Sequence, residues 1–387
     1  MDTIVGRMAR VYRVLRRTHH VYVVPLFVAL VFAFVRGLVA LSMALDRAFF
    51  PRLRKTRATR PIVIVGNPRT GTTFLQRFMV DAGLGAGMEL FLMLYPSLVL
   101  QKLLGPFMPL LEKLSPAKFH STEAHHTSLT SVETDDVAVL FRYLDGFFLY
   151  GFFLSFDDED LLPAFDPELR DTSARDFAWL EALWQRSLVL HGRERNVAKL
   201  FSLGVRLPRF LERFPDAQIL YMVRDPVAVI PSSMSLVIGV LDRAFGFWTL
   251  PEPVRKRWLE RLYVGWILLL QRFHDDWQSG KIDRRRVYVV RYDRMMQNLE
   301  DVMEELCAFL DHPMTPELRA MIAATAEQQR SYQSEHRYNL AKFGLNEEQI
   351  RRDCAFYYEA FLSDAPTPSD PPATAQPRLM AAPGSVE

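Results

Sequence analysis

PIVIVGNPRTGTTFLQRFMVDAGL, Pro61 to Leu84, is the stretch that decides the fold. Its first five residues form an unbroken apolar run rich in β-branched side chains. Such a run reads as a strand buried on both faces, the kind that parallel sheets contain. Gly66 and Gly71 then frame a turn, and TFLQRFMVDAGL follows with helical spacing. A strand, a glycine turn and a helix N-terminus present several backbone N–H groups to an anion. The glycines have the P-loop spacing, GxxxxGK followed by Ser or Thr, but Thr72 stands where the lysine belongs. That lysine serves the β- and γ-phosphates in ATP and GTP enzymes. Here the positive charge sits inside the loop at Arg69, among the hydroxyls of Thr70, Thr72 and Thr73. The pattern fits a nucleotide with fewer phosphates and no metal.

Two further runs extend the reading. QILYMV at 218–223 ends in Arg224-Asp225-Pro226, after which helix resumes near Val227. RVYVVRY at 286–292 precedes the strongly helical LEDVMEELCAFLDH. Strands alternating with helices predict an α/β fold, a P-loop-like central parallel sheet flanked by helices. Residues 85–190, rich in Phe, Leu and Tyr, read mostly as helix.

GNPRTGTTFLQ resembles the 5′-phosphosulfate-binding loop of sulfotransferases that use the donor PAPS (3′-phosphoadenosine-5′-phosphosulfate), a loop reading PRSGTT or a close variant. The second signature of that family pairs a strand-end Arg with a Ser eight residues on. YMVRDPVAVIPSS supplies Arg224 and Ser232 at that spacing, and such a pair can converge on one phosphate. In the family that is the donor's 3′-phosphate. The resemblance spans about residues 61–310, with VRYDRMMQNLEDVMEELCAFLDH similar to the family's third strand and helix, and is nearest to its bacterial and carbohydrate-type branches. It implies PAPS as co-substrate, no metal, and a hydroxyl-bearing acceptor, either carbohydrate, glycolipid or other lipid-linked group.

Sulfuryl transfer needs cations on the leaving group and a base for the acceptor proton. Arg69, by its loop position, is the first candidate cation. Lys199, in NVAKLFSLGVRLP, is the second; similar enzymes place a lysine there, often before Ser-Pro, whereas Leu200 and Phe201 follow here. Glu133, in TSVETDDVAVL, is the first candidate base, with His125 and His126 as alternatives. Asp135 and Asp136 beside it also suit a helix N-terminus. Related enzymes fold a late basic segment over the 3′-phosphate, a role open to His336 and Arg337. The donor set is thus Arg69, Thr70, Gly71, Thr72, Thr73, Arg224, Ser232 and Arg337. A P-loop kinase or NTPase would need the missing lysine and a strand-end carboxylate for Mg²⁺. A non-catalytic binding module would be expected to lose these cations and hydroxyls.

The 387 residues are 49% hydrophobic, with a net charge of +2, so nothing in bulk charge calls for a nucleic-acid partner. Two cysteines, Cys307 and Cys354, and no Asn-x-Ser/Thr acceptor argue against a secreted life. Residues 1–20 carry Arg7, Arg10, Arg13, Arg16 and Arg17, and an apolar run follows from Val21 to Leu45, broken by Pro25, Arg36 and Gly37. As a helix it would be about 37 Å long, enough to cross a bilayer. Arg47, Arg52, Arg54, Lys55, Arg57 and Arg60 make the second flank basic too. That symmetry predicts a re-entrant or interfacial segment on the cytoplasmic face of a membrane; the competing reading is a buried helix pair. The expected organisation is a membrane-associating segment over 1–60, a catalytic domain over 61–363 and a disordered Pro/Ala/Ser tail over 364–387.

Overall fold

The parallel sheet has the strand order β2-β1-β3-β4, with β1 at Ile62–Val65, β2 at Val197–Lys199, β3 at Gln218–Val223 and β4 at Val287–Arg291. The computed structural model describes residues 3–114, 127–331 and 340–363. Side chains of β1 alternate between two cores, as the pleat requires. Val63 and Val65 enter the larger cluster and Ile62 and Ile64 the smaller one, all fully buried. Burying each such side chain contributes roughly 1.5–3 kcal/mol, and two-sided burial explains why the run has no polar interruption. β2 was not foreseen: three residues ending in a lysine carry no periodic signal.

Helices cover both faces. Two helices precede the sheet, α1 (Ile4–Thr18) and α2 (Val24–Phe49). α3 (Thr72–Asp81) follows the glycine turn. Between α3 and β2 lie α4 (Leu90–Leu94), α5 (Leu98–Leu104), α6 (Met108–Leu114), α7 (Asp136–Tyr143), α8 (Phe147–Phe152) and α9 (Ser173–His191), in keeping with the helical reading of this region. α10 (Leu207–Arg213) leads into β3, and α11 (Pro226–Phe245) and α12 (Glu252–Gln278) lead out of it. α13 (Tyr292–Gln297) and α14 (Leu299–Phe309) follow β4. Cys307 and Cys354 are free and buried.

Two helices, α2 and α11, are long and apolar enough to cross a membrane by length and composition. They differ in burial: 44% of the most apolar window of α11 is inside the protein, but only 6% of that of α2. α11 is therefore a core helix, whereas α1 and α2 form a pair of which α2 is largely exposed. Buried polar groups fix that pair. Arg7 of α1 donates to the carbonyls of Tyr143 (2.9 Å) and Leu144 (2.8 Å) and faces Asp145. At the other end, Asp46 of α2 accepts from Arg186 of α9 (2.8 Å), from Ser97 Oγ (2.8 Å) and from the N–H groups of Leu98 and Val99. Those last groups open α5, so Asp46 caps a second helix while pairing a buried guanidinium. Removing one partner of a buried pair strands the other charge. Asp46→Ala should therefore lower stability by about 3–5 kcal/mol in chemical denaturation, and a loss below about 1 kcal/mol would show the pair to be solvated.

Candidate active site

Each strand delivers a polar side chain at its C-terminal end, where open α/β sheets build their sites. Arg69 follows β1, Lys199 ends β2, Arg224 follows β3 and Tyr292 follows β4. The pair Ile64 with Lys199 sets the ends of β1 and β2 level, the pair Val223 with Arg291 sets those of β3 and β4 level, and the latter two strands run further in the same direction.

The turn between β1 and α3 is shaped by close approach. A Cβ on Gly66 would lie 2.7 Å from the Met222 carbonyl oxygen of β3, and one on Gly71 would lie 2.8 Å from the Tyr292 ring. Gly71 also has φ +92° and serves as the N-cap of α3, with no side chain capping the helix. The first-turn N–H groups of such a helix have no intrahelical partner and suit an anion. Thr70 donates to the Asn67 carbonyl at 2.7 Å, so its hydroxyl braces the turn. Asn67 reaches the Trp266 carbonyl of α12 and Ser233 reaches the Pro68 carbonyl, anchoring the loop on two more helices.

Two corners flank this cradle. In the first, Arg69 occupies the left-handed region at φ +73°, rare for a non-glycine residue. Arg224 holds it there by donating to the Arg69 carbonyl at 2.7 Å, while Arg69 Nε donates to Ser232 Oγ at 2.9 Å. The Arg224 guanidinium lies 3.9 Å from the centre of the Tyr292 ring, within cation–π range. Arg69, Arg224 and Ser232 thus form one basic, hydroxyl-bearing group.

In the second corner, Lys199 Nζ donates to Thr73 Oγ1 at 3.0 Å. Burial pushes the Lys199 ammonium down to about 8, with Glu133 the nearest opposing influence. Glu133 is buried and its Oε1 accepts from Arg77 (3.1 Å) and Ser131 (2.8 Å). Thr72 is buried at the head of α3 beside Thr73.

Asp135 and Asp136 turn out to be anchors. Both are buried. Asp135 accepts from the Lys199 N–H at 2.9 Å and Trp184 Nε1 at 2.8 Å, and burial pushes its carboxyl up to about 7. Asp136 accepts from the Phe201 N–H and from Ser202 and Thr134. Together they fasten the segment after β2 and so position Lys199. Sequence reasoning missed Tyr292 and Arg77 as site neighbours; a Tyr opening a helix straight after a strand was the available signal for the first. Of the remaining candidates, His125, His126, His336 and Arg337 lie outside the described residues. Among the described residues, no group of three or more His, Cys, Asp or Glu side chains is placed to hold a metal ion.

Comparison with known proteins agrees with this architecture. The model of the sulfotransferase family matches residues 61–316. No curated protein matches the chain significantly. Among solved structures, the sulfotransferase STF1 from Mycobacterium tuberculosis superposes with a TM-score of 0.65 at 17% identity, covering 91% of each chain. The sulfotransferase STF9 from Mycobacterium avium gives 0.60 at 17% identity, covering 83% of this chain and 81% of its own. At such identity the likeness speaks for the fold, while the family match covers most of this chain and takes in all four strands. The chain belongs to the sulfotransferase family and is a sulfuryl-transferring enzyme.

Proposed function

We propose that this sulfotransferase takes the sulfuryl group from PAPS and transfers it to a hydroxyl of a carbohydrate, glycolipid or other lipid-linked acceptor at the cytoplasmic face of a membrane. The observation that carries the donor assignment is the convergence of Arg69, Lys199 and Arg224 at the ends of three adjacent strands. A donor with two separated anionic ends needs two basic corners, and the cradle between them lacks the P-loop lysine that a triphosphate requires. The residues fit the donor: uncapped helix N–H groups, three cations and several hydroxyls lie about the C-terminal ends of the strands, without a metal-ligating cluster among the described residues.

In this reading Arg224 and Ser232 hold the 3′-phosphate, with Tyr292 buttressing the Arg224 plane. Thr72, Thr73 and the α3 N-terminus hold the 5′-phosphosulfate, and Thr70 and Gly71 keep the turn in shape. Arg69 and Lys199 stabilise the negative charge that builds on the leaving phosphate. Glu133 accepts the acceptor hydroxyl's proton as the new O–S bond forms in line with the breaking one. Arg77 pairs with Glu133 at 3.1 Å and fixes the position of its carboxylate. Arg337 is a further candidate ligand of the 3′-phosphate.

The acceptor class rests on the apolar middle and N-terminal regions. Incubation with labelled PAPS and a host lipid and glycan extract should label an organic-phase or glycan product; label found only on a small soluble phenol would reject it. Donor use is tested by thermal shift: PAP (the desulfated donor) should stabilise the protein and ATP–Mg²⁺ should not, and no shift with PAP would reject the site. Arg69→Ala should lower kcat by about 10² or more. Arg224→Ala should chiefly raise the KM for donor, and equal mild effects on both would contradict the division of roles. Lys199 acts as a cation, so turnover should fall as pH rises through about 8. Lys199→Arg should move that limb upward, whereas an unchanged pH profile would assign the lysine a packing role.

A further inference from the structure

The outer surface of α2 is joined by a second apolar stripe that the sequence reading did not single out. On α2, Phe27, Leu30, Phe34 and Leu41 are 63–72% exposed. α5 runs into α6 through a 3-10 turn at Gly105–Phe107, and along this segment Leu103, Phe107, Leu110 and Leu114 are 54–70% exposed. Their spacing of four, three and four residues places them on one face. The opposite face is core: Leu104, Met108 and Leu111 pack with Leu90, Phe91 and Leu129. The cap that Asp46 gives to α5 fastens α5 to the end of α2, and the two helices pack against each other. An apolar area of this extent does not normally face water.

α2 cannot cross a bilayer, because both of its ends belong to the same globular body. Just before it, the His19 ring packs at 5.0 Å from Phe156 and 4.6 Å from Phe245, the last residue of core helix α11. Near its other end, Asp46 is locked to Arg186 of α9. Between them runs a half-buried to buried stripe, Pro25, Ala29, Phe32, Arg36, Val39 and Asp46, at helical spacing. Arg36, which interrupts the apolar run, lies on this protein-facing stripe, its guanidinium 5.4 Å from the Phe32 ring centre. Only the outward faces are available to lipid.

The exposed charge at the C-terminal end of α2 is basic, and Glu112 of α6 is taken up by the Leu129 N–H. Arg47, Arg52, Arg54, Lys55 and Arg57 are exposed at the end of α2, and Arg54 and Arg57 bond backbone carbonyls. Lys102 of α5 stands 4.9 Å from the Phe50 ring centre, which brings its charge to the same edge. An apolar face edged with Lys and Arg fits a bilayer interface bearing anionic headgroups. We infer that α2 and the α5–α6 segment form one monotopic docking face, lying in the surface of an anionic bilayer without crossing it. This deepens the membrane placement proposed above by naming the mode of attachment and a second attachment element; it does not depend on the donor.

Flotation of the full chain with phosphatidylcholine vesicles, with and without phosphatidylglycerol, tests the face. Binding should require phosphatidylglycerol and weaken with added salt. The double variant Phe107→Asp, Leu110→Asp should bind at least about tenfold less. Its PAP thermal shift should be unchanged, and a lost shift in an otherwise bound protein would instead fault the donor reading. Equal binding by variant and parent overturns the inference, as does a chain that ignores vesicles and dimerises through this face. Topology is read independently of that variant. Tyr22→Cys and Phe49→Cys, made separately, should both react with an impermeant maleimide from the same side of membrane vesicles, over a background kept low by the burial of Cys307 and Cys354. Labelling from opposite sides would prove a crossing helix.

Discussion

The bond from Arg224 to the Arg69 carbonyl joins the two motifs proposed to form the donor site. It holds Arg69 in a backbone region that few non-glycine residues adopt, a conformation costing about 1–3 kcal/mol unless its surroundings impose it. With the carbonyl engaged, the Arg69 side chain turns toward α11 and meets Ser232. The turn therefore cannot be shaped by its own residues alone. It needs β3 alongside to supply Arg224 and to exclude a side chain at Gly66, and β4 beyond to place Tyr292 against Gly71. Strand order thus enters the chemistry directly: the central β1–β3 pair builds the basic corner, and the outer strands each complete one side of the cleft.

The second corner works by a different physical means. Lys199 is buried, and that burial pulls its ammonium down to about 8. A desolvated cation interacts with a nearby anion through a lower effective dielectric than an exposed lysine would. Asp135 and Asp136 do not neutralise it by direct contact. Their oxygens are taken up by backbone N–H groups, hydroxyls and the Trp184 indole. Such bonds satisfy buried carboxylates and leave the lysine side chain free to point at Thr73.

The sheet was legible wherever burial on both faces forced an unbroken apolar run. PIVIV, QILYMV and RVYVVRY each became a strand within a residue or two of the expected place. β2 escaped because its three residues are an edge strand whose last member is a buried lysine, so local composition points away from a strand. The loop glycines were legible because close approach leaves no choice of residue. Arg77 was not, since its partner Glu133 is far away in sequence and an arginine on a helix face carries no local sign of what it meets. Asp135 and Asp136 sit at the start of α7, as expected of helix-terminal charge, but their bonds to the segment after β2 are tertiary and have no sequence period. The N-terminal segment divided in the same way: its apolar length and basic flanks were plain, whereas the inward placement of Arg36 and the Asp46–Arg186 lock depend on which face of the helix meets the body.

Buried ion pairs connect the N-terminal helices to the site. Arg7 faces Asp145, which also binds Arg170 and Arg175; Arg175 binds Asp176, and Asp176 binds Arg206, next to the segment that Asp136 fastens. Burial works against ionisation of Asp145, yet the hydrogen bonds of Arg170 and Arg175 hold its carboxyl down to about 2. A chain of this kind adds little to stability compared with a well-packed apolar core. Its consequence is geometric, because each guanidinium must satisfy fixed acceptors and cannot slide as an aliphatic contact would. The α1–α2 pair is therefore held in register with the strand ends, and the same strip that carries Glu133 shares a core with α6 through Leu129. The face inferred to meet the bilayer and the groups inferred to meet the acceptor are consequently parts of one rigid arrangement. An acceptor hydroxyl presented near a membrane surface would meet a base whose position is fixed relative to that surface.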